Sequence, residues 1–119
     1  MTVRQDKVNS LLQREISAFL VEHKPEGITG LVTIIGVDVS PDLESAKVFF
    51  SVVGQDFEGV AEILQKNIYE IQGELLRKLI MRKVPRITFI PDHSGEYARR
   101  ISDLIVKLRK NDASPRSEE

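Results

Sequence analysis

Leu31-Val-Thr-Ile-Ile-Gly-Val-Asp-Val39, then Ser40-Pro41-Asp42-Leu43, then Ala46-Lys-Val-Phe-Phe-Ser-Val-Val53 read as strand, turn and strand. The first run is rich in β-branched residues, which fit a pleated surface. Ile34 and Val37 share one face only if an extra residue is inserted between them, which makes Gly36 a candidate bulge. In the turn, Pro41 presets φ while Ser40 and Asp42 can bond the local backbone. In the second run Ala46, Val48, Phe50 and Val52 alternate with Lys47, Phe49, Ser51 and Val53. The two strands are expected to form an antiparallel hairpin that ends at Gly54.

The flanking segments follow a helical period. Upstream, Thr2-x-x-Gln5 has the form of a capping box, and Val8, Leu12, Ile16, Phe19 and Leu20 fall on one helical face. Pro25 and Gly27 stop that helix. Downstream, Asp56 is placed to cap a helix carrying Val60, Ile63, Leu64, Ile68, Ile71, Leu75, Leu76 and Leu79. A straight helix of that length would outrun so small a domain, so a bend is expected near residues 67–73. Pro85 moves Val84 out of the helical region. Arg86-Ile-Thr-Phe-Ile90 is a third strand closed by Pro91. Ser94 is placed to cap a last helix with apolar Tyr97, Ile101, Leu104, Ile105 and Leu108.

The order is helix, strand, strand, helix, helix, strand, helix. It predicts a two-layer α+β domain over residues 1–110, with helices covering one side of a three-stranded sheet. Residues 111–119 are polar and include Pro115, and a short disordered tail is expected there. A length of 119 residues sets the expectation of one domain. The absence of cysteine excludes disulfides, cysteine-ligated metals and thiol nucleophiles. No apolar run approaches the roughly 20 residues that span a bilayer, and residues 1–7 lack a signal-peptide core. A cytoplasmic protein that does not engage membranes is expected.

The net charge of −1 argues against a nucleic-acid binder, but its distribution does not. Without residues 111–119, which hold Arg116 against Asp112, Glu118 and Glu119, 16 basic and 15 acidic residues remain. Between residues 77 and 86 stand Arg77, Lys78, Arg82, Lys83 and Arg86, with no acid among them. Guanidinium and ammonium groups so grouped can hold several phosphates. The competing reading is that they complement the C-terminal end of a helix dipole. Arg99, Arg100, Lys107, Arg109 and Lys110 are interrupted by Glu96 and Asp103 and read better as a solvated helix face. Asp92-His93-Ser94 holds the residue types of a hydrolase triad, but as adjacent residues they read better as a helix start. The glycines form neither GxGxxG nor GxxxxGK, so neither nucleotide-phosphate loop is present, and a metal site is not expected either.

Val32-Thr-Ile-Ile-Gly-Val-Asp-Val-Ser-Pro-Asp-Leu43, Ala46-Lys-Val-Phe-Phe-Ser-Val52, and Met81-Arg-Lys-Val-Pro-Arg-Ile-Thr-Phe89 followed by Asp92-x-Ser94 resemble the ribosome-binding factor A family, over about Val3 to Leu108. The resemblance implies a type II KH-like fold without cofactor or small-molecule substrate. It implies a non-enzymatic, cytoplasmic factor in ribosome biogenesis. Such a factor binds the free small ribosomal subunit, assists late maturation of small-subunit ribosomal RNA and matters most in the cold. In KH domains a GXXG loop between two helices clamps the nucleic-acid backbone. The family has an alanine-x-glycine kink there, and Asn67-Ile68-Tyr69 stand at the aligned positions here. The RNA-binding candidates are Arg77, Lys78, Arg82, Lys83 and Arg86, on a monomer. The alternative is a KH-like protein-interaction module with little RNA affinity.

Overall fold

The computed structural model describes the backbone of residues 2–78 and 83–117, with side chains for all of these except 96–99 and 110–117. Among the described residues, seven elements follow the chain: α1 (Val3–Glu22), β1 (Leu31–Val39), β2 (Ser45–Val53), α2 (Phe57–Lys66), α3 (Ile68–Lys78), β3 (Arg86–Pro91) and α4 (Ser94–Ser117). Strand order is β1-β2-β3. β1 pairs antiparallel with β2, and β3 pairs parallel with it. A parallel neighbour needs a crossover, and α2 with α3 supplies it.

The capping box at the start of α1 is complete. Gln5 N–H donates to Thr2 Oγ1 at 3.1 Å, and Thr2 N–H donates to Gln5 Oε1 at 3.0 Å. Val8, Leu12, Ile16, Phe19 and Leu20 are buried against the sheet face that carries Ala46, Val48, Phe50 and Val52. Ile28, Ile34, Val39, Ile87, Phe89, Val60, Leu64, Ile71 and Leu75 complete this core. Period 2 on the strands meets a 3.6-residue period on the helices, so one apolar face of each element points to a common layer. The opposite sheet face is open: Leu31, Ile35 and Val53 are exposed, and Phe49 and Ile90 are half-buried.

The bulge lies one residue before Gly36. Ile34 pairs with Phe50 and Gly36 pairs with Phe49, so Ile35 is the extra residue. The phase change required by Ile34 and Val37 is met there, and glycine's freedom is not needed. In the hairpin turn, Ser40 Oγ donates to Asp42 Oδ1 at 2.5 Å, and Glu44 N–H donates to the same carboxylate oxygen at 3.0 Å. Leu43 takes φ 60, held by this network.

The outer edge of β1 is covered by polar side chains of α1. Ser40 N–H bonds Ser45 C=O in the hairpin, so by alternation the groups of Val39 point away from β2. Val39 N–H donates to Asn9 Oδ1 at 2.8 Å, and Val39 C=O accepts from Gln5 Nε2 at 3.2 Å. Gln13 Nε2 donates to Ile34 C=O at 3.1 Å. Gln5, Asn9 and Gln13 are spaced by four residues, which places them in one row along α1.

α2 and α3 are separated at Asn67, whose φ of −95 and ψ of 14 leave the helical region. Its side-chain Nδ2 donates to Ile63 C=O at 2.8 Å. This is the local side-chain competition that makes asparagine a poor helix interior. It breaks the helix without glycine, while Gly73 sits inside α3.

Two expectations for the end of the chain need correction. Asp92, not Ser94, supplies the capping group: Ser94 N–H donates to Asp92 Oδ1 at 2.8 Å, and Ser94 is already the first helical residue. The apolar face Ile101, Leu104, Ile105 and Leu108 is exposed, whereas the helices were expected to cover one side of the sheet; Tyr97 lies outside the described side chains. Periodicity identifies residues that share a face, not what covers them. Helical backbone in α4 runs on to Ser117. Extending an existing helix needs only propagation, not a new nucleus.

Candidate nucleic-acid interface

The basic run is divided by the fold rather than gathered into one bare patch. Arg77 and Lys78 sit in the last turn of α3. Arg77 bonds the Glu74 carboxylate one turn back. Lys78 Nζ lies 3.5 Å from Glu74 Oε1 and 3.6 Å from Glu22 Oε2, at the end of α1. The chain Glu22–Lys78–Glu74–Arg77 therefore ties α1 to α3. Its electrostatics agree with that role. The Arg77 hydrogen bond holds the Glu74 carboxyl below its ordinary value, and Glu22, with Glu74, pushes the Lys78 ammonium above its own.

Lys83 stands across the sheet end, with Nζ 3.7 Å from Glu44 Oε1 beside the hairpin turn. Arg86 begins β3, and its N–H donates to Glu44 C=O at 2.9 Å. Its side chain is exposed, with no ion-pair partner among the described residues. Arg82 lies outside the described residues. Of the second surface, Arg100, Lys107 and Arg109 are exposed on α4, while the side chains of Arg99 and Lys110 are not described.

Arg86 lines a groove of ≈ 520 Å³ that wraps the β3 edge. Ser45 and Thr88 form its strand wall, and Gln65, Ile68, Tyr69 and Gln72 form its helical wall. The break at Asn67 sets that second wall. Ending α2 there turns Ile68 half inward and leaves Tyr69 84% exposed along the groove. Asn67 itself is engaged with Ile63. The groove thus joins an exposed aromatic face to a guanidinium, the pair of groups that holds unpaired nucleotides by stacking and by phosphate contact.

Sequence reasoning missed three residues of this surface. Lys47 is exposed on the open sheet face, in register with Thr88. Its position opposite the buried Val48 in the strand alternation was the available signal. Gln65 and Gln72 reach the β3 edge from α2 and α3. Gln65 accepts from Phe89 N–H and donates to Ile87 C=O, both at 3.3 Å, and Gln72 Nε2 donates to Pro85 C=O at 3.4 Å. Only their seven-residue spacing marked them.

Asp92 is engaged as the acceptor at the start of α4, and the Ser94 hydrogen bonds hold its carboxyl below the ordinary value. The His93 ring packs on Phe57 at 4.1 Å between centroids. Among the described residues, no group of three histidine or carboxylate side chains is placed to hold a metal ion.

An α-β-β-α-α-β frame and a mixed sheet in the order β1-β2-β3 are the arrangement of a KH-like fold. The family model described as ribosome-binding factor A matches residues 4–105, and the chain belongs to that family. It is 34% identical over 112 residues to a ribosome-binding factor A of Legionella pneumophila, covering 93% of this chain and 91% of the relative. It also superposes on the crystal structure of ribosome-binding factor A from Thermus thermophilus with a TM-score of 0.68. That match has 22% identity and covers 73% of this chain and 93% of the other. A third similarity, at a TM-score of 0.61 and 22% identity, is to a homology model of the Thermus thermophilus factor fitted into a cryo-EM map of a 30S complex. It covers 71% of this chain and 91% of that one.

Proposed function

We propose that the chain is a non-enzymatic assembly factor. It binds the free small ribosomal subunit as a monomer in the cytoplasm and assists late maturation of small-subunit ribosomal RNA, most of all in the cold. The observation that carries this reading is the family match across residues 4–105. The complex with 30S fitted for the Thermus thermophilus relative supports the choice of target. On this chain the groove with Tyr69 and Arg86 is the assigned RNA contact. Lys83, Arg82, Lys78 and Arg77 are assigned to the flanking phosphates, and Asn67-Ile68-Tyr69 form the joint that shapes the helical wall. Positioning by phosphate contact, without chemistry, is what such a surface does.

The test is co-sedimentation with free small subunits against full ribosomes, over a salt series. Each phosphate contact should contribute a slope of about −0.7 for single strands, or about −0.9 for duplex, in log K against log salt. Equal recovery with full ribosomes would reject the assignment.

The ion pairs favour a second reading. Arg77, Lys78 and Lys83 each already face a carboxylate. A protein-interaction module with little RNA affinity would show a nearly flat salt slope and would bind subunit proteins rather than naked RNA.

A further inference from the structure

A groove that reads sequence must offer unsatisfied donors and acceptors to a base edge. Along the β3 edge beside this groove, three backbone groups are already taken. Phe89 N–H donates to Gln65 Oε1, Ile87 C=O accepts from Gln65 Nε2, and Pro85 C=O accepts from Gln72 Nε2. One primary amide, bound at two points, satisfies the two groups of β3 that would pair with an incoming base.

Gln65 is not free to leave. It sits in the last turn of α2, next to Leu64, and α2 is anchored by Leu64 and Val60, both fully buried. Asn67 ends the helix two residues on, and its amide is itself bound to Ile63. Four of its remaining groups can hold RNA without selecting a base. The Tyr69 ring is an exposed stacking face, and every base has a π-face. Arg86 recognises phosphate, and the Ser45 and Thr88 hydroxyls can donate or accept, so they suit either sense of base edge.

We propose that this groove holds unpaired RNA without reading its base edges, and that Gln65 is the residue that enforces the indifference by occupying Ile87 C=O and Phe89 N–H. The proposal rests on the RNA-binding reading above and adds its specificity.

The experiment uses the full chain and 12-nucleotide rA, rC and rU homopolymers in fluorescence anisotropy at one salt concentration. With Gln65 in place, the three dissociation constants should agree within about fivefold, the residue of unequal stacking. Gln65→Met keeps length and helix preference but removes both hydrogen bonds. It should free the β3 edge and widen the spread at least about tenfold, the discrimination a two-point base contact supplies. Gln65→Ala, a truncation on an exposed helix surface, should act in the same direction. Faster hydrogen exchange at the Phe89 amide, with cooperative melting retained, shows that the edge was opened in a folded protein. A spread beyond fivefold in the parent chain overturns the proposal. So does an unchanged spread in both folded variants. Failure of the parent chain to bind any of the three oligomers overturns the RNA reading itself, and this inference with it, which separates the two failures.

Discussion

Replacing Glu44 by glutamine should strengthen RNA binding. Glu44 Oε1 lies 3.7 Å from Lys83 Nζ, and both side chains are largely exposed. A phosphate approaching the far side of that ammonium would stand about 7–8 Å from the carboxylate. Coulomb's law gives a repulsion of about 0.5 kcal/mol in bulk-water dielectric, and about 2 kcal/mol at the effective dielectric of a protein surface. Removing the carboxylate charge should therefore tighten binding by roughly threefold to a few tens of fold at low salt. The gain should shrink as the Debye length falls below that separation. The cost to the fold is that of an exposed pair, about 0.2–1 kcal/mol. The hydrogen bond from Arg86 N–H to Glu44 C=O is a backbone contact and survives. The assay is anisotropy titration of a fluorescent small-subunit RNA fragment between 50 and 300 mM salt, with the melting temperature measured alongside (the range spans Debye lengths of roughly 14 to 6 Å). Affinity that is unchanged or weaker in a folded Glu44→Gln variant would refute the placement of phosphate beside Lys83.

Leu64→Ala removes a fully buried side chain between α2 and the sheet, and should cost about 2–5 kcal/mol by denaturant titration. By contrast, changing Ile101, Leu104 and Leu108 together to serine should alter stability by no more than about 0.5 kcal/mol per site, since all three are exposed on α4; a loss of several kcal/mol would mean that the stripe is covered in solution. For pH, the Ser40 hydroxyl, then the Glu44 N–H, hold the Asp42 carboxyl below its usual 3.8. A depressed carboxylate stabilises the fold above its unfolded value and loses that contribution as pH falls through the folded one. Asp42→Asn should therefore flatten the stability profile below pH 3.8 and leave the neutral region without this titration; an unchanged acid limb would show that the turn does not contribute.

The parts of the fold that were legible in the sequence are those with local causes. The Thr2–Gln5 box spans four residues and forms as read. The alternation from Ala46 to Val53 matches the burial of β2 residue by residue. The helix break falls at Asn67 because a single side chain competes with its own backbone. The phase of Ile34 and Val37 calls for one extra residue between them, with Gly36 the candidate; the pairing leaves Ile35 over instead. The site was harder to read because its charges are balanced at long range. Lys78 meets Glu22 from another helix, and Lys83 meets Glu44 from the hairpin, so a stretch with no acid in it is not a surface with none nearby. Gln65 and Gln72 belong to no motif; only the meeting of α2 and α3 with β3 gives their amides a role.

The row Gln5, Asn9 and Gln13 has a consequence for how the chain is made. An uncovered strand edge is a template on which other chains can pair, and the hazard is greatest while a protein is incomplete. β1 cannot pair with β2 until a further dozen or so residues have emerged, an interval of about one second at synthesis rates of roughly 5–20 residues per second. α1 comes before β1 in chain order, so the amides that occupy Val39 and Ile34 are translated before the strand they cover. The same order holds at the other side of the sheet, where Gln65 precedes β3. Each edge of the sheet is thus synthesised after its own cover, and a nascent chain that has just exposed a strand already carries the side chains that keep neighbours on the same messenger from adding to it.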